Sequence, residues 1–168
     1  MPPALTVRPI GAADWPDILA IQVSAYGPAL IETEAVLRSK ASPLPAACFV
    51  ATRGDRPLAY LLAHPYPPDA WPCLDTPLAD PGPTDNLLLH DLAVHARARG
   101  QGAAASLMAA LADAATRQAF CTLSLVAVQD AEPFWRRFGF TPIGPAPAEK
   151  GYDADACLMR KLLRGKAG

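Results

Sequence analysis

The residues best placed to do chemistry lie in one stretch, LLLHDLAVHARARGQGAAASLMAALADAA, from Leu87 to Ala115. An apolar run (Leu87, Leu88, Leu89, Leu92, Val94) leads into a short basic turn, and the turn opens into an amphipathic helix. The first amides of a helix lack intrahelical acceptors and carry the positive end of its dipole, so such a start attracts anions. Gly100, Gly102, Ala103 and Ala104 are small enough to let a phosphate reach the backbone, and Arg97 and Arg99 add positive charge. The same residues also fit a tight turn whose arginines simply face water. The turn has neither the third glycine of a dinucleotide fingerprint nor the lysine of a nucleotide P-loop. Cys48, Cys73, Cys121 and Cys157 form no CxxC pair, have no histidine at zinc spacing and lack a basic partner that would make one a nucleophile.

Several elements must position this turn. Thr6–Ile10 reads as a strand, with Asp14 as N-cap of a helix carrying Trp15, Ile18, Leu19 and Val23. A second helix is expected over Ile31–Lys40, then strands over Ala47–Thr52 and Pro57–Ala63 joined at Gly54-Asp55. Residues 64–85 are proline-rich and aperiodic, which rules out a regular element and predicts an unusually long loop. Leu87–Val94 is a strand, Ala103–Arg117 a helix and Thr122–Val128 a central strand covered on both faces. Pro133 opens a short helix closed by Gly139, and Phe140–Ile143 and Cys157–Leu162 are further strands. The 168 residues, with neither repeat nor interior linker, read as a single α/β domain spanning 1–168. A formal net charge of -1 and no basic tract argue against nucleic-acid binding by bulk charge. No run suits a signal peptide or membrane span, so a cytoplasmic protein with no membrane partner is expected.

VHARARGQGAAASLM resembles the signature of the GCN5-related N-acetyltransferase (GNAT) superfamily, Gln/Arg-x-x-Gly-x-Gly/Ala, met by Arg99, Gly102 and Ala104. A second register, through Arg97, Gly100 and Gly102, also fits. The first places Leu107 and Met108 where that superfamily's helix carries its core pair. Downstream, EPFWRRFGF resembles the superfamily's FYxxxGF segment, so the match covers the C-terminal half. It implies an acyl-CoA N-acyltransferase fold: α/β (α+β), with a mixed, mostly antiparallel sheet of six to seven strands flanked by about four helices. It implies acetyl-CoA as donor substrate and no metal. Backbone amides from Gly100 through Gln101, Gly102, Ala103 and Ala104 to Ala105 would hold the pyrophosphate, with Arg97 or Arg99 reaching a phosphate or facing solvent. Leu92, Ala93 and Val94 would pair with the pantetheine arm along a strand edge left free by a splayed neighbour. Phe134 and Trp135 would lie near the thioester.

LHDLAVH resembles the corresponding strand of serotonin N-acetyltransferases, which carries a histidine at the position of His90. There the histidine belongs to the route removing the amine proton, and an imidazole suits that task because its pKa lies near neutrality. The structural alternatives are a core histidine bonded to a backbone carbonyl and a histidine at a subunit contact. On an unbroken strand His90, Leu92 and Val94 share one face, and Asp91 points to the other. Many family members have tyrosine where this chain has Trp135, and an indole is no acid at neutral pH. Tyr152 is the candidate replacement for protonating the thiolate, ahead of Tyr26; either would also serve as a packing tyrosine. Glu32 and Glu34 would attract a cationic amine or be exposed, and Trp71 would cover the cleft. The resulting expectation is acetyl transfer to the primary amine of a small molecule by direct attack. A protein lysine or N-terminal acetyltransferase and a non-catalytic acyl-CoA-binding module are the alternatives. Homodimers are common among such relatives.

Overall fold

Two near-continuous apolar runs on either side of the Gly54-Asp55 turn form the first hairpin, β2 (Phe49–Arg53) and β3 (Arg56–Pro65). The computed structural model describes Met1 and residues 3–163. β1 (Leu5–Pro9) pairs with β2, and β4 (Asn86–Val94) pairs with the other edge of β3. β5 (Thr122–Ala127), β6 (Thr141–Pro145) and β7 (Cys157–Leu162) complete a seven-stranded sheet in the order β1-β2-β3-β4-β5-β7-β6. Every neighbouring pair is antiparallel except β4 and β5. The crossover between those two is α3 (Ala103–Arg117), as a parallel connection requires.

Two helices cover one face of the sheet. α1 (Trp15–Ala25) buries Trp15, Ile18 and Ile21, and α2 (Glu34–Ala41) buries Leu37, against Val50, Tyr60, Leu62 and Ala93. α3 and the short α4 (Glu132–Arg136) cover the opposite face. There Leu107, Met108, Leu111 and Trp135 pack on Ala59, Leu61, Ala63, Leu89 and Leu125.

Two helix starts differ from the sequence expectation for local reasons. Asp14 does not cap α1 with its side chain: its carboxylate takes Arg8 at 2.7 and 2.8 Å and the Gly11 amide at 2.7 Å. α2 begins at Glu34 rather than Ile31 because the Thr33 hydroxyl accepts the Val36 amide at 3.3 Å, an N-cap that leaves Ile31 and Glu32 outside the helix.

After β3 the chain runs from Tyr66 to Asp85 without helix or strand. This strap lies over the half of the sheet that α1 and α2 leave bare. Trp71 packs there on Leu88 and Leu158, a burial worth on the order of 2–3 kcal/mol. Trp71 is therefore sheet cover rather than a lid over the cleft.

Candidate active site

The β3–β4 ladder runs from Ala59↔Val94 to Leu62↔Asp91 and resumes at Ala63↔Leu89. His90 is the extra residue, so β4 carries a bulge there, and a bulge re-aims side chains. His90 and Asp91 consequently share the α1/α2 face: His90 meets Glu32 and His64, and Asp91 meets Tyr26 and Tyr60. Leu92 and Val94 pack toward the other core. Asp91 lies opposite Leu92 and Val94 as the alternation expects, but His90 does not share the face of Leu92 and Val94.

His90 is paired rather than satisfied by a carbonyl. Its Nε2 lies 2.5 Å from Glu32 Oε1, with side chains only 2% and 4% exposed. The other oxygen of Glu32 accepts the Asp75 amide at 2.9 Å, and the Gln22 side chain bonds the Glu32 backbone on both sides. Burial opposes ionisation of Glu32, but His90, the Asp75 amide and the Lys40 ammonium outweigh it and hold its pKa below the ordinary value. A carboxylate at Nε2 makes that nitrogen the donor and leaves the lone pair of neutral His90 on Nδ1.

Asp91 is held between two hydroxyls, Tyr26 at 2.7 Å and Tyr60 at 2.5 Å. Burial raises its pKa, while His90 and the two hydroxyls pull the other way. Burial and the neighbouring Asp91 charge push both tyrosines well above their usual range, so they remain donors.

β4 and β5 stay paired only from Asn86↔Thr122 to Leu89↔Leu125. Beyond Leu89 the strands part, and the β5-side edge of His90–Val94 opens on a cavity of about 730 Å³. One wall is β4, and another is Phe134, Trp135, Arg137 and Phe138. The third is the turn into α3, through Arg99, Gly100, Gly102 and Ala103 to Ala105. Gly100 (φ +75°) and Gly102 (φ +84°, the N-cap) are left-handed. A Cβ at either would meet nothing within 4 Å, so backbone conformation rather than crowding calls for glycine. The Ser106 amide makes the first bond into Gly102, which leaves the amides of Ala103 to Ala105 without an intrahelical acceptor at the cavity wall.

The His90 end of the cavity is lined by Tyr26, Leu30, Glu32, Leu74, His90 and Tyr152. Leu74 belongs to the strap, which is tied to both sides of this end. On the α2 side, Asp75 exchanges bonds with Glu32 and the Thr33 amide (3.0 Å), and the Leu78 amide reaches Ser39 at 3.0 Å. On the β6–β7 side, the Leu74 amide donates to the Lys150 carbonyl at 2.7 Å, and the Tyr152 hydroxyl donates to the Pro72 carbonyl at 3.0 Å. Burial, reinforced by nearby acidic groups including Glu32, raises the pKa of Tyr152 and keeps it protonated.

The cavity thus gathers His90, Tyr152, Leu92, Ala93, Val94, Arg99, Gly100, Gly102, Ala103, Ala104, Ala105, Phe134 and Trp135. Gln101 is the exception among the residues expected there: it is exposed, and its side chain ties back to the Arg97 carbonyl at 3.0 Å. Arg97 also lies outside the lining. Glu34 pairs with Arg38 on the surface, whereas Glu32 is buried against His90, a role that nothing in its local sequence signals. Arg137, which sequence reasoning missed, stands 5.4 Å over the Phe134 ring, three residues on in a helical turn. Cys48 is buried with its thiol pushed up to about 11, which leaves it inert. Among the described residues, no group of three or more His, Cys, Asp or Glu is placed to hold a metal.

A parallel pair that parts beside a bulged strand, with a glycine-bearing helix start facing the gap, defines an acyltransferase fold. Residues 15–140 match the model of the acetyltransferase (GNAT) family, and the chain belongs to that family. A GCN5-related N-acetyltransferase from Kribbella flavida is similar at 26% identity, covering 95% of this chain and 98% of that one, with a TM-score of 0.68. The loading GNATL domain of CurA from Lyngbya majuscula shares the fold at a TM-score of 0.81 and 12% identity, over 95% and 98% of the two chains. Naa50 from Arabidopsis thaliana, solved with the bisubstrate analogue CoA-Ac-MVNAL, does so at 0.71 and 13%, over 94% and 97%. No curated protein sequence matches the chain. Among the described residues no helix is long and apolar enough to cross a membrane.

Proposed function

We propose that this chain transfers the acetyl group of acetyl-CoA to the primary amine of a small molecule, by direct attack within a ternary complex. The strap carries this reading. Pinned to α2 on one side and to the β6–β7 segment on the other, it brings Leu74 into the lining of the His90 end, where a peptide would need an open groove. Leu30, Leu74 and Tyr26 give that end an apolar lining suited to a compact amine. The reading places the protein in the cytoplasm, where acetyl-CoA is supplied.

The residues present fit the donor. The amides of Gly100 to Ala105, with Arg99 and Arg137 beside them, would hold the pyrophosphate, and the free edge of Leu92 to Val94 would pair with the pantetheine arm. The bound thioester supplies an activated acyl carbon with a fair leaving group. An alkyl ammonium has no lone pair, so the acceptor must first lose a proton. His90 is the base we assign: Nδ1 takes the proton while Nε2–H stays on Glu32, which orients the ring and stabilises the imidazolium. LHDLAVH, with its likeness to the serotonin N-acetyltransferase strand, supports this role. Tyr152 is the proton donor we assign to the departing thiolate, its hydroxyl turning from the Pro72 carbonyl. Trp135, edge-on to Phe134 at 4.9 Å, serves as wall rather than acid.

The test is thermal shift with CoA followed by thiol release over aliphatic amines, arylalkylamines, amino acids and aminoglycosides. Stabilisation by CoA with amine-dependent thiol release is expected. Stabilisation without release on any amine would make the chain a binding module instead.

A further inference from the structure

Lys40 lies on the inward side of α2, fully buried, and its Nζ has no hydrogen-bond partner among the described residues. An ammonium in that position is costly, because water has been removed and no acceptor replaces it. The groups coupled to it electrostatically are Glu32 from the segment before α2, Cys73 and Asp75 from the strap, and His64 from β3. Asp75 is exposed and screened by solvent. His64 donates Nδ1–H to the Pro65 carbonyl, and burial with the nearby charges pushes its pKa down to about 3, so it carries no charge at neutral pH. His90 in turn faces Glu32, His64 and its strand neighbour Asp91, whose own partners are Tyr26 and Tyr60 rather than Lys40. The buried charges that depend on one another are therefore Glu32, His90, Lys40 and Asp91, of which Asp91 is the same with or without Lys40.

We propose that Lys40 is a positioning residue for the reaction: a buried counter-charge that keeps Glu32 ionised while His90 is neutral, and so holds His90 ready to accept a proton. The inference rests on the proposed role of His90 as base. A closed, poorly hydrated site favours the arrangement with the least net charge. Lys40⁺ offsets one of the negative charges around His90, and protonation of the imidazole then brings a second cation into the site. Without Lys40 the site is one unit more negative in either state of His90, which favours the imidazolium over the neutral ring. The step itself is a plain transfer: the N–H bond of the ammonium breaks, an Nδ1–H bond forms on His90, and the freed lone pair attacks the acyl carbon.

The experiment is the pH profile of kcat/KM, with the same amine throughout so that its own ionisation cancels, for wild type, K40M, K40Q and H90Q. K40M and K40Q remove the charge with side chains of different packing character, so one can replace the other if either fails to fold. In both, the acid limb should move up by about one pH unit, giving roughly tenfold lower kcat/KM below the limb and wild-type values well above it. A lower kcat/KM at every pH, with the limb unmoved, would overturn the proposal and make Lys40 merely structural. H90Q separates the two levels. If it abolishes the limb while the Lys40 variants leave it in place, only the Lys40 inference fails; if it keeps the wild-type limb, His90 is not the base and both fail.

Discussion

Gly102→Ala tests the donor cradle against an internal control. Gly102 has φ +84° and Gly54, in the β2–β3 turn, has φ +61°; an added Cβ meets nothing within 4 Å at either. Both substitutions therefore carry only the left-handed backbone cost, about 1–2 kcal/mol. For a domain of this size that is a fall in Tm of roughly 2–8 °C. Only Gly102 lines the cavity. Relief of its strain by rotation toward negative φ would withdraw the amides at the start of α3, and the unrelieved residue would put a methyl group at the lip of the cradle. G102A should thus lose at least about tenfold in acetyl-CoA affinity, equal to about 1.4 kcal/mol, whereas G54A should lose stability alone. Calorimetric titration with CoA beside thermal melts reads both quantities. Equal CoA affinity in the two variants would refute the placement of the phosphates at this turn.

His90→Gln should lower kcat by about 10²–10⁴ with little change in acetyl-CoA affinity, as read by steady-state kinetics. Tyr152→Phe should lower kcat by only about tenfold, since a CoA thiol leaves readily without full protonation. An unchanged kcat with a raised KM for the amine would leave Tyr152 as a latch on Pro72 and nothing more. His64 predicts acid lability with a definite sign. Its folded pKa of about 3 lies below the unfolded value of 6.5, so between these pH values the unfolded chain holds the extra proton. Stability is therefore fully present above about pH 6.5 and falls on acidification by up to about 1.4 kcal/mol per pH unit. Urea midpoints across that window should flatten in His64→Leu.

The turn into α3 was legible because its signals are local. Glycines, small residues and arginines at a helix start act over a dozen residues, and α3 runs over Ala103–Arg117 as its periodicity requires. The path of the strap was not legible, since prolines announce irregular backbone without saying what it crosses. The bulge at His90 was hidden as well, because Leu-His-Asp-Leu reads as plain alternation and the extra residue exists only relative to β3. That one residue decides which side chains share a face, and it puts His90 beside Asp91 rather than beside Leu92 and Val94. The His90–Glu32 contact joins positions 58 apart in sequence, and Tyr26–Asp91 joins positions 65 apart. Only the folded sheet, with α1 and α2 laid on it, brings them together.

A one-pot competition tests the central claim, acetyl transfer to a small amine in a walled chamber, most directly. Wild-type protein and acetyl-CoA are incubated with equal concentrations of small primary amines and of peptides bearing free N-termini and lysines, and acetylated products are counted by mass spectrometry. Acetylation of a small amine with peptides left unmodified is the predicted result. Acetylated peptides with untouched amines would mean that the strap does not close the acceptor end, and would contradict the account.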